Sequence, residues 1–285
     1  MKANIQSLLK QQLAGALIQD EVLYVLVVPD QVIAHISTEP RLPIIPVQVQ
    51  LVAGTTLNGE VQYMAFIEYT EHGRTDKTAP VSGRAVALAF TINFGDVLQG
   101  GQFVVDLVIP WKNASGQTGT KQTRIQGSIR GTNPTKAAIK ARLGSIELQV
   151  TAYRESRFRQ FDSAGLPLFG PPHGFGVMQL DNPPATARQV WDWKTNVDAG
   201  KSLWAVKAQD ATGYPSRERR KYPDVTNFTA EQLKLEIYQR YNGGAYWKWD
   251  DARKTWFKGP INSYADDAYA LEQQVQAGQA PPDWS

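Results

Sequence analysis

The hydrophobic pattern of this chain changes period once, near Gly131, and that change limits the architecture more than any single motif does. Before it, short runs alternate between apolar and polar residues: 47–51, parts of 61–71 and 86–94, 103–109 and 123–129. Strict alternation sets one face of a strand against a core and the other toward solvent. The runs are rich in β-branched and aromatic residues and are separated by Gly, Asn, Asp and Ser clusters. Asn58-Gly59 and Gly100-Gly101 are turn signals, and 113–116 is a looser one. An antiparallel β-sandwich-like unit over 1–131 is the expectation.

After Asn133-Pro134 the spacing becomes helical, with Asn133 expected as an N-cap and Pro134 as the first helical residue. Ala138, Ile139, Leu143, Ile146, Leu148, Val150 and Tyr153 form one stripe ending near Glu155. Further helices are expected at 184–193, 198–211, 229–241 and 265–276, the third opening on Thr229 with Glu231 in its first turn. The chain therefore reads as α+β in two parts: a β-rich accessory or delivery unit over 1–131 and a mainly helical unit over 132–285. A length of 285 residues suits two such units.

Composition removes several kinds of chemistry. There is no cysteine, so a disulfide framework, thiolate metal sites and a cysteine nucleophile are excluded. The three histidines, His35, His72 and His173, are scattered and no HExxH motif is present, so if the chain is an enzyme, carboxylates are the expected acid–base groups. A net charge of +3 and the absence of a reader motif argue against nucleic acid. The one dense basic run, 217–221, reads as a solvated loop, with an anionic polymer as its alternative ligand. The N-terminal Ile5, Leu8, Leu9, Leu13 and Leu17 suggest a short amphipathic helix interrupted by polar residues, not a secretory signal. The apolar run 22–29 is too short to span a bilayer. A protein made in the cytoplasm without a Sec signal is expected.

The helical part carries seven of the eight tryptophans, which suit either a compact core or the faces of sugars. It also holds the candidate chemistry. In Tyr153-Arg154-Glu155-Ser156-Arg157-Phe158 a carboxylate ends an apolar helix beside an aromatic ring. Apolar walls disfavour its ionised form and raise its pKa, as a general acid requires. Gly174-Phe175-Gly176-Val177-Met178-Gln179 follows, with glycines that permit close backbone approach and Met178 suited to an anchor. Tyr241-Asn242-Gly243 then closes a helix, Gly243 fitting a left-handed cap.

In order, Glu155-Ser156, Gly176-Val177-Met178-Gln179 and Tyr241-Asn242-Gly243 resemble the ES, GLMQ and AYNAG motifs of the soluble lytic transglycosylases. That family shares the lysozyme-like fold with goose-type lysozymes. Pro184-Ala185-Thr186-Ala187 is similar to the P-x-T-A segment after the second motif. The stretch from Asn196 to Leu203 is similar to the family's N-x-x-x-G-x-x-x-L helix. The likeness covers about 135–245. Arg240 before Tyr241, Gly244, and the insertion from Gly165 to His173 depart from the family pattern.

The resemblance implies an enzyme cutting the bond between N-acetylmuramic acid and N-acetylglucosamine in peptidoglycan, with Glu155 as catalytic acid. It implies that Gln179 and Met178 shape the substrate site, that Tyr241 positions the glutamate, and that Asn242 supports its loop. Ser156 orients backbone or substrate and is not a nucleophile, since no His or Lys is paired with it. No metal or organic cofactor is called for. A transglycosylase uses one carboxylate and the substrate's own C6 hydroxyl. A hydrolase needs a second group, for which Asp162 and Asp181 are the candidates. Both outcomes stay open at this level.

A wall-cleaving unit without a signal of its own needs delivery. The β-rich part would suit a secreted antibacterial effector docking to a secretion machine, with an immunity protein in the producer, or a phage tail or lysis component. Its action would then lie in the periplasm or cell wall. Non-catalytic glycan binding or an assembly role is the remaining alternative.

Overall fold

The computed structural model describes residues 33–285 together with the short strand Leu23–Tyr24. The expected N-terminal amphipathic helix lies outside the described residues.

The alternating runs form strands. In chain order they are β1 (Leu23–Tyr24), β2 (Ile33–Ile36), β3 (Ile45–Gln48), β4 (Gln50–Leu51), β5 (Thr55–Leu57), β6 (Val61–Glu71), β7 (Arg74–Lys77), β8 (Val81–Ala85), β9 (Ala89–Ile92), β10 (Gly101–Asn113) and β11 (Thr118–Gly131). Seven make one sheet in the order β2-β11-β10-β6-β7, with β5 beside β10 and β8 beside β6. All its pairings are antiparallel except β2 with β11, which is parallel and so departs from the expected pattern. These two strands are far apart in sequence, and only a long crossover can join parallel neighbours. Two antiparallel ribbons, β1–β4 and β3–β9, stand beside the sheet.

Only one of the three turn signals makes a hairpin. At 113–117 the backbone N–H of Asn113 donates to Gln117 O (2.9 Å) and that of Gly116 to Asn113 O (3.0 Å), joining β10 to β11. Asn58-Gly59 instead interrupts the line of β5 and β6 along one side of β10. Gly100-Gly101 is a point of close approach, since a Cβ on Gly100 would lie 2.3 Å from the Trp191 ring. The tightest hairpin, β6 to β7, turns on His72 and Gly73, both at positive φ (53° and 73°), as a type I′ turn requires.

The helices are α1 (Lys136–Leu143), α2 (Ile146–Ser156), α3 (Ala187–Trp191), α4 (Trp193–Glu218), α5 (Ala230–Asn242) and α6 (Tyr264–Gln276). Two ribbons lie among them: β12 (Phe169–Gly170) with β13 (Gly174–Phe175), and β14 (Trp247–Asp250) with β15 (Thr255–Lys258). The change from strand to helix falls between Gly131 and Thr135. Thr135, not Asn133, is the cap, its side chain accepting from Ala138 N (3.2 Å). Asn133 serves a more distant segment, its Oδ1 accepting the backbone N–H of both Gln160 (2.8 Å) and Phe161 (2.9 Å). The single expected stripe is two helices, broken at Gly144 (φ 83°), after which Ser145 caps α2. α3 starts later than expected, at a capping box between Thr186 and Gln189. α4 is longer than expected, capped by Asp192 and running to the basic segment, so Arg217 is helical and pairs with Asp210 (2.5 Å).

One apolar core runs through both parts. Val61, Ala65, Ile67 and Tyr69 of β6 share it with Ile45, Val47 and Ile92 of the β3–β9 ribbon, and with Ile139, Val150, Trp191 and Val197 of the helices. Tyr69 meets Trp191 edge-on at 5.3 Å, and the Trp193 indole donates to Thr38 O (2.7 Å). Most of the tryptophan rings serve this packing: Trp191, Trp193 and Trp284 are buried in it, and Trp111, Trp204 and Trp247 pack against it. Gly100→Ala would push a methyl into Trp191, an overpacking expected to cost about 1–3 kcal/mol. Thermal unfolding of the whole chain should show a midpoint lowered by several degrees; an unchanged midpoint would contradict a core shared by sheet and helices.

Candidate active site

Glu155 lies one residue before the end of α2, whose Leu148, Val150, Ala152 and Tyr153 are buried. The chain leaves this helix abruptly. Arg157 and Phe158 both take positive φ (57° and 60°), a region that bulky side chains rarely enter. Packing imposes it: the buried Phe158 ring is held between Tyr153 (5.7 Å) and Trp284 (5.2 Å). Ser156 is committed to the same turn. Its hydroxyl donates to Ala152 O (3.0 Å) and accepts from Arg159 N (3.2 Å), which leaves it a backbone-orienting role.

The second motif is a buried loop whose backbone is satisfied by two buried amides. Gln160 Oε1 accepts from Val177 N (3.2 Å) while its Nε2 donates to Val190 O (2.7 Å). Asn196 Oδ1 accepts from Met178 N (2.9 Å) while its Nδ2 donates to Phe175 O (2.9 Å). Gly176 must be glycine, because φ is 77° and a Cβ would lie 2.6 Å from both amides. One turn along α4, Gly200 leaves the space that Met178 fills: a Cβ there would lie 2.3 Å from Met178 Cγ. The spacing of Asn196 and Gly200 thus has a direct physical cause, the docking of this loop onto α4. Gln160, by contrast, carried no signal in the sequence, since a lone Gln beyond a helix end belongs to no pattern.

Gln179 follows at φ 46°, its Nε2 donating to Gly176 O (2.8 Å). Its side chain lies against Gly170 and Gly174 of the β12–β13 ribbon. The Tyr241 hydroxyl donates to Met178 O (2.8 Å), so the third motif is fastened to the second. Asn242 Oδ1 accepts from Asn262 Nδ2 (2.9 Å), and Asn262 Oδ1 accepts from Tyr264 N (3.1 Å). Gly243 ends α5 at φ 116° and ψ 135°, outside the left-handed helical well expected for it.

The hydroxyl that donates to Glu155 belongs to Tyr264, at 2.5 Å from Oε1. Tyr264 opens α6, 109 residues after Glu155, in a segment where the sequence shows only a helix start. Burial pushes the Glu155 carboxyl above the usual carboxylate range, partly offset by the Tyr264 hydrogen bond and the Arg154 charge. The Tyr241 and Tyr264 phenols are raised well above their ordinary value by burial first and by the neighbouring Glu155 charge second. Arg154 itself is turned to Asp267 (3.1 Å). Of the two further carboxylates, Asp162 caps its own turn, accepting from Ala164 N (2.8 Å) and Leu166 N (2.9 Å). Asp181 follows Leu180 in the exit from the second motif. Among the described residues the side chains that shift Glu155 are Tyr264 and Arg154. Among the described residues no three His, Asp or Glu side chains are placed to hold a metal ion.

The structure thus brings Glu155, Met178, Gln179, Tyr241 and Tyr264 into one connected arrangement. It contains a carboxyl that favours its protonated form and is held by a phenol that cannot easily ionise. Such a group can deliver a proton and take one back. Its raised pKa also carries a stability cost. The native state binds this proton more tightly than the unfolded chain, so the group's stabilising contribution is full below the unfolded carboxylate pKa and is lost as pH rises through the folded value. Glu155→Gln should therefore melt above the parent protein at neutral pH, with the difference fading toward about pH 4. Melting curves across this range check it; a variant less stable at neutral pH would contradict it. Compared with known proteins, the chain matches no family model, no curated protein and no solved structure.

Proposed function

We propose that this protein cleaves the glycan strand of peptidoglycan between N-acetylmuramic acid and N-acetylglucosamine, with a helical part of lysozyme-like kind and Glu155 as general acid. The observation that supports this most is the convergence of three separated motifs on one half-buried carboxyl whose protonated form is favoured. In the first step Glu155 gives its proton to the glycosidic oxygen as the C1–O bond breaks, which leaves positive charge on the sugar ring. In the second, the carboxylate takes a proton from the hydroxyl that attacks C1. Tyr264 holds the carboxyl by donating to Oε1. Its hydrogen bond favours the ionised form that exists between the two steps. Gln179 forms part of the wall, while the Met178 side chain, expected to shape the site, is buried against Gly200 and contributes only as an anchor whose carbonyl Tyr241 fixes.

Among the described residues the groups that act on Glu155 are Tyr264 and Arg154, and this favours the substrate's own C6 hydroxyl as attacking group, giving a 1,6-anhydromuramoyl end. Asp162 is committed to its turn. A wall substrate puts the work outside the cytoplasm, consistent with the proposed effector role and an immunity protein in the producer.

Glu155→Gln should lower release of labelled glycan from purified peptidoglycan by about 10²–10⁴-fold. Tyr264→Phe should lower it by roughly 10–100-fold, the worth of one hydrogen bond to a charged group. Losing that bond also raises the Glu155 pKa, so the fall in activity at high pH should move to higher pH in Tyr264→Phe. Full activity in Glu155→Gln would sink the assignment.

A further inference from the structure

The insertion from Gly165 to His173 and the turn at His72 have no place in the chemistry above, yet they meet. The His72 ring lies flat on Phe169 of β12, with centroids 4.0 Å apart and planes at 4°. Two residues on, the Arg74 guanidinium sits 5.7 Å from the Phe175 ring of β13 and donates to Ala185 O. Arg74 is itself fixed by Asp76 (Nη2 to Oδ1, 3.0 Å), whose carbonyl accepts from the buried Gln99 (2.7 Å). Two side chains of the sheet thus grip a ribbon of the helical part.

That ribbon has strands of only two residues, too short to persist without support. Successive residues of a strand face opposite ways, so Phe169 and Phe175 are on one face and Gly170 and Gly174 on the other. His72 takes the aromatic face. Gln179 takes the glycine face: its Oε1 lies 2.0 Å from where a Cβ on Gly170 would stand and 2.6 Å from that on Gly174. Gln179 adjoins Met178, whose carbonyl receives Tyr241 beside Glu155. Among the described residues five non-glycine residues have positive φ, and two of them, His72 and Gln179, stand at the two faces of this ribbon.

We propose that His72 and Arg74 are positioning residues of the proposed glycan site: through the β12–β13 ribbon they set the wall that carries Gln179, so the sheet takes part in turnover. The kinetic half of the test rests on the glycan-cleaving function proposed above, and the other half does not.

The test uses the full chain with His72→Asn and His72→Tyr. Asn tolerates positive φ but cannot stack; Tyr stacks but tolerates that φ less well. A residue that only makes the turn therefore ranks Asn above Tyr, and a positioning residue ranks Tyr above Asn. Hydrogen exchange of the segment 168–180 is measured alongside kcat and KM on labelled peptidoglycan. In His72→Asn, exchange of 168–180 should quicken about two- to tenfold while peptides of α5 keep the parent rate. In the same variant kcat should fall by a similar factor with KM little changed, and His72→Tyr should recover most of both. Unchanged exchange in 168–180, or Asn outperforming Tyr, overturns the proposal. If the parent protein releases no glycan, the functional assignment fails, and exchange alone still decides the role of His72.

Discussion

Buried backbone must find partners, and the architecture around Glu155 follows from how one buried loop does so. The segment from Gly174 to Met178 lies inside the protein, where unpaired N–H and C=O groups are costly. Gln160 and Asn196 serve it from two sides, one just beyond α2 and one on α4, and each amide uses both its donor and its acceptor. Tyr241 completes the set from α5. Three helices are thereby fixed around one loop. Removing either amide would orphan several groups together, so α2, α4 and α5 hold their places as a unit.

The same arrangement gives up stability at the place where the proposed chemistry would sit. Arg157, Phe158 and Gln179 adopt backbone conformations that their side chains disfavour, and Glu155 is held where ionisation is opposed. Each would be relieved by a more ordinary fold. They persist because aromatic packing around Phe158 and the fastened loop leave no alternative. Strain and an unfavourable charge gathered at one place mark a site under functional demand more strongly than any one of them does alone.

The sequence was most legible where local physics decides the outcome. The alternation in 61–71 matches β6, and Thr229 caps α5 as its position suggests. It was least legible where a residue serves a distant partner. Asn133 reads as a helix cap, but the backbone at Gln160 and Phe161 claims it, so Thr135 does the capping. Gly100-Gly101 reads as a turn, but Trp191 needs the space. Asn196 and Gly200 were visible as a spacing, whereas the loop that explains them was not. Tyr264, the closest partner of Glu155, could be found only in three dimensions, because no local pattern ties the first residue of α6 to the end of α2. The resemblance to wall-cleaving enzymes pointed at Glu155, Gln179 and Tyr241; the structure adds that Tyr241 holds the loop and Tyr264 holds the acid.

Cleavage chemistry is the central claim, and the bond that breaks tests it most directly. Purified peptidoglycan should be incubated with the protein and the soluble fragments weighed by mass spectrometry. The account predicts fragments ending in 1,6-anhydromuramic acid, produced by one carboxylate working as acid and then base. Reducing muramic acid ends would keep Glu155 as the acid but contradict the single-carboxylate route, and no soluble fragments at all would contradict glycan cleavage itself.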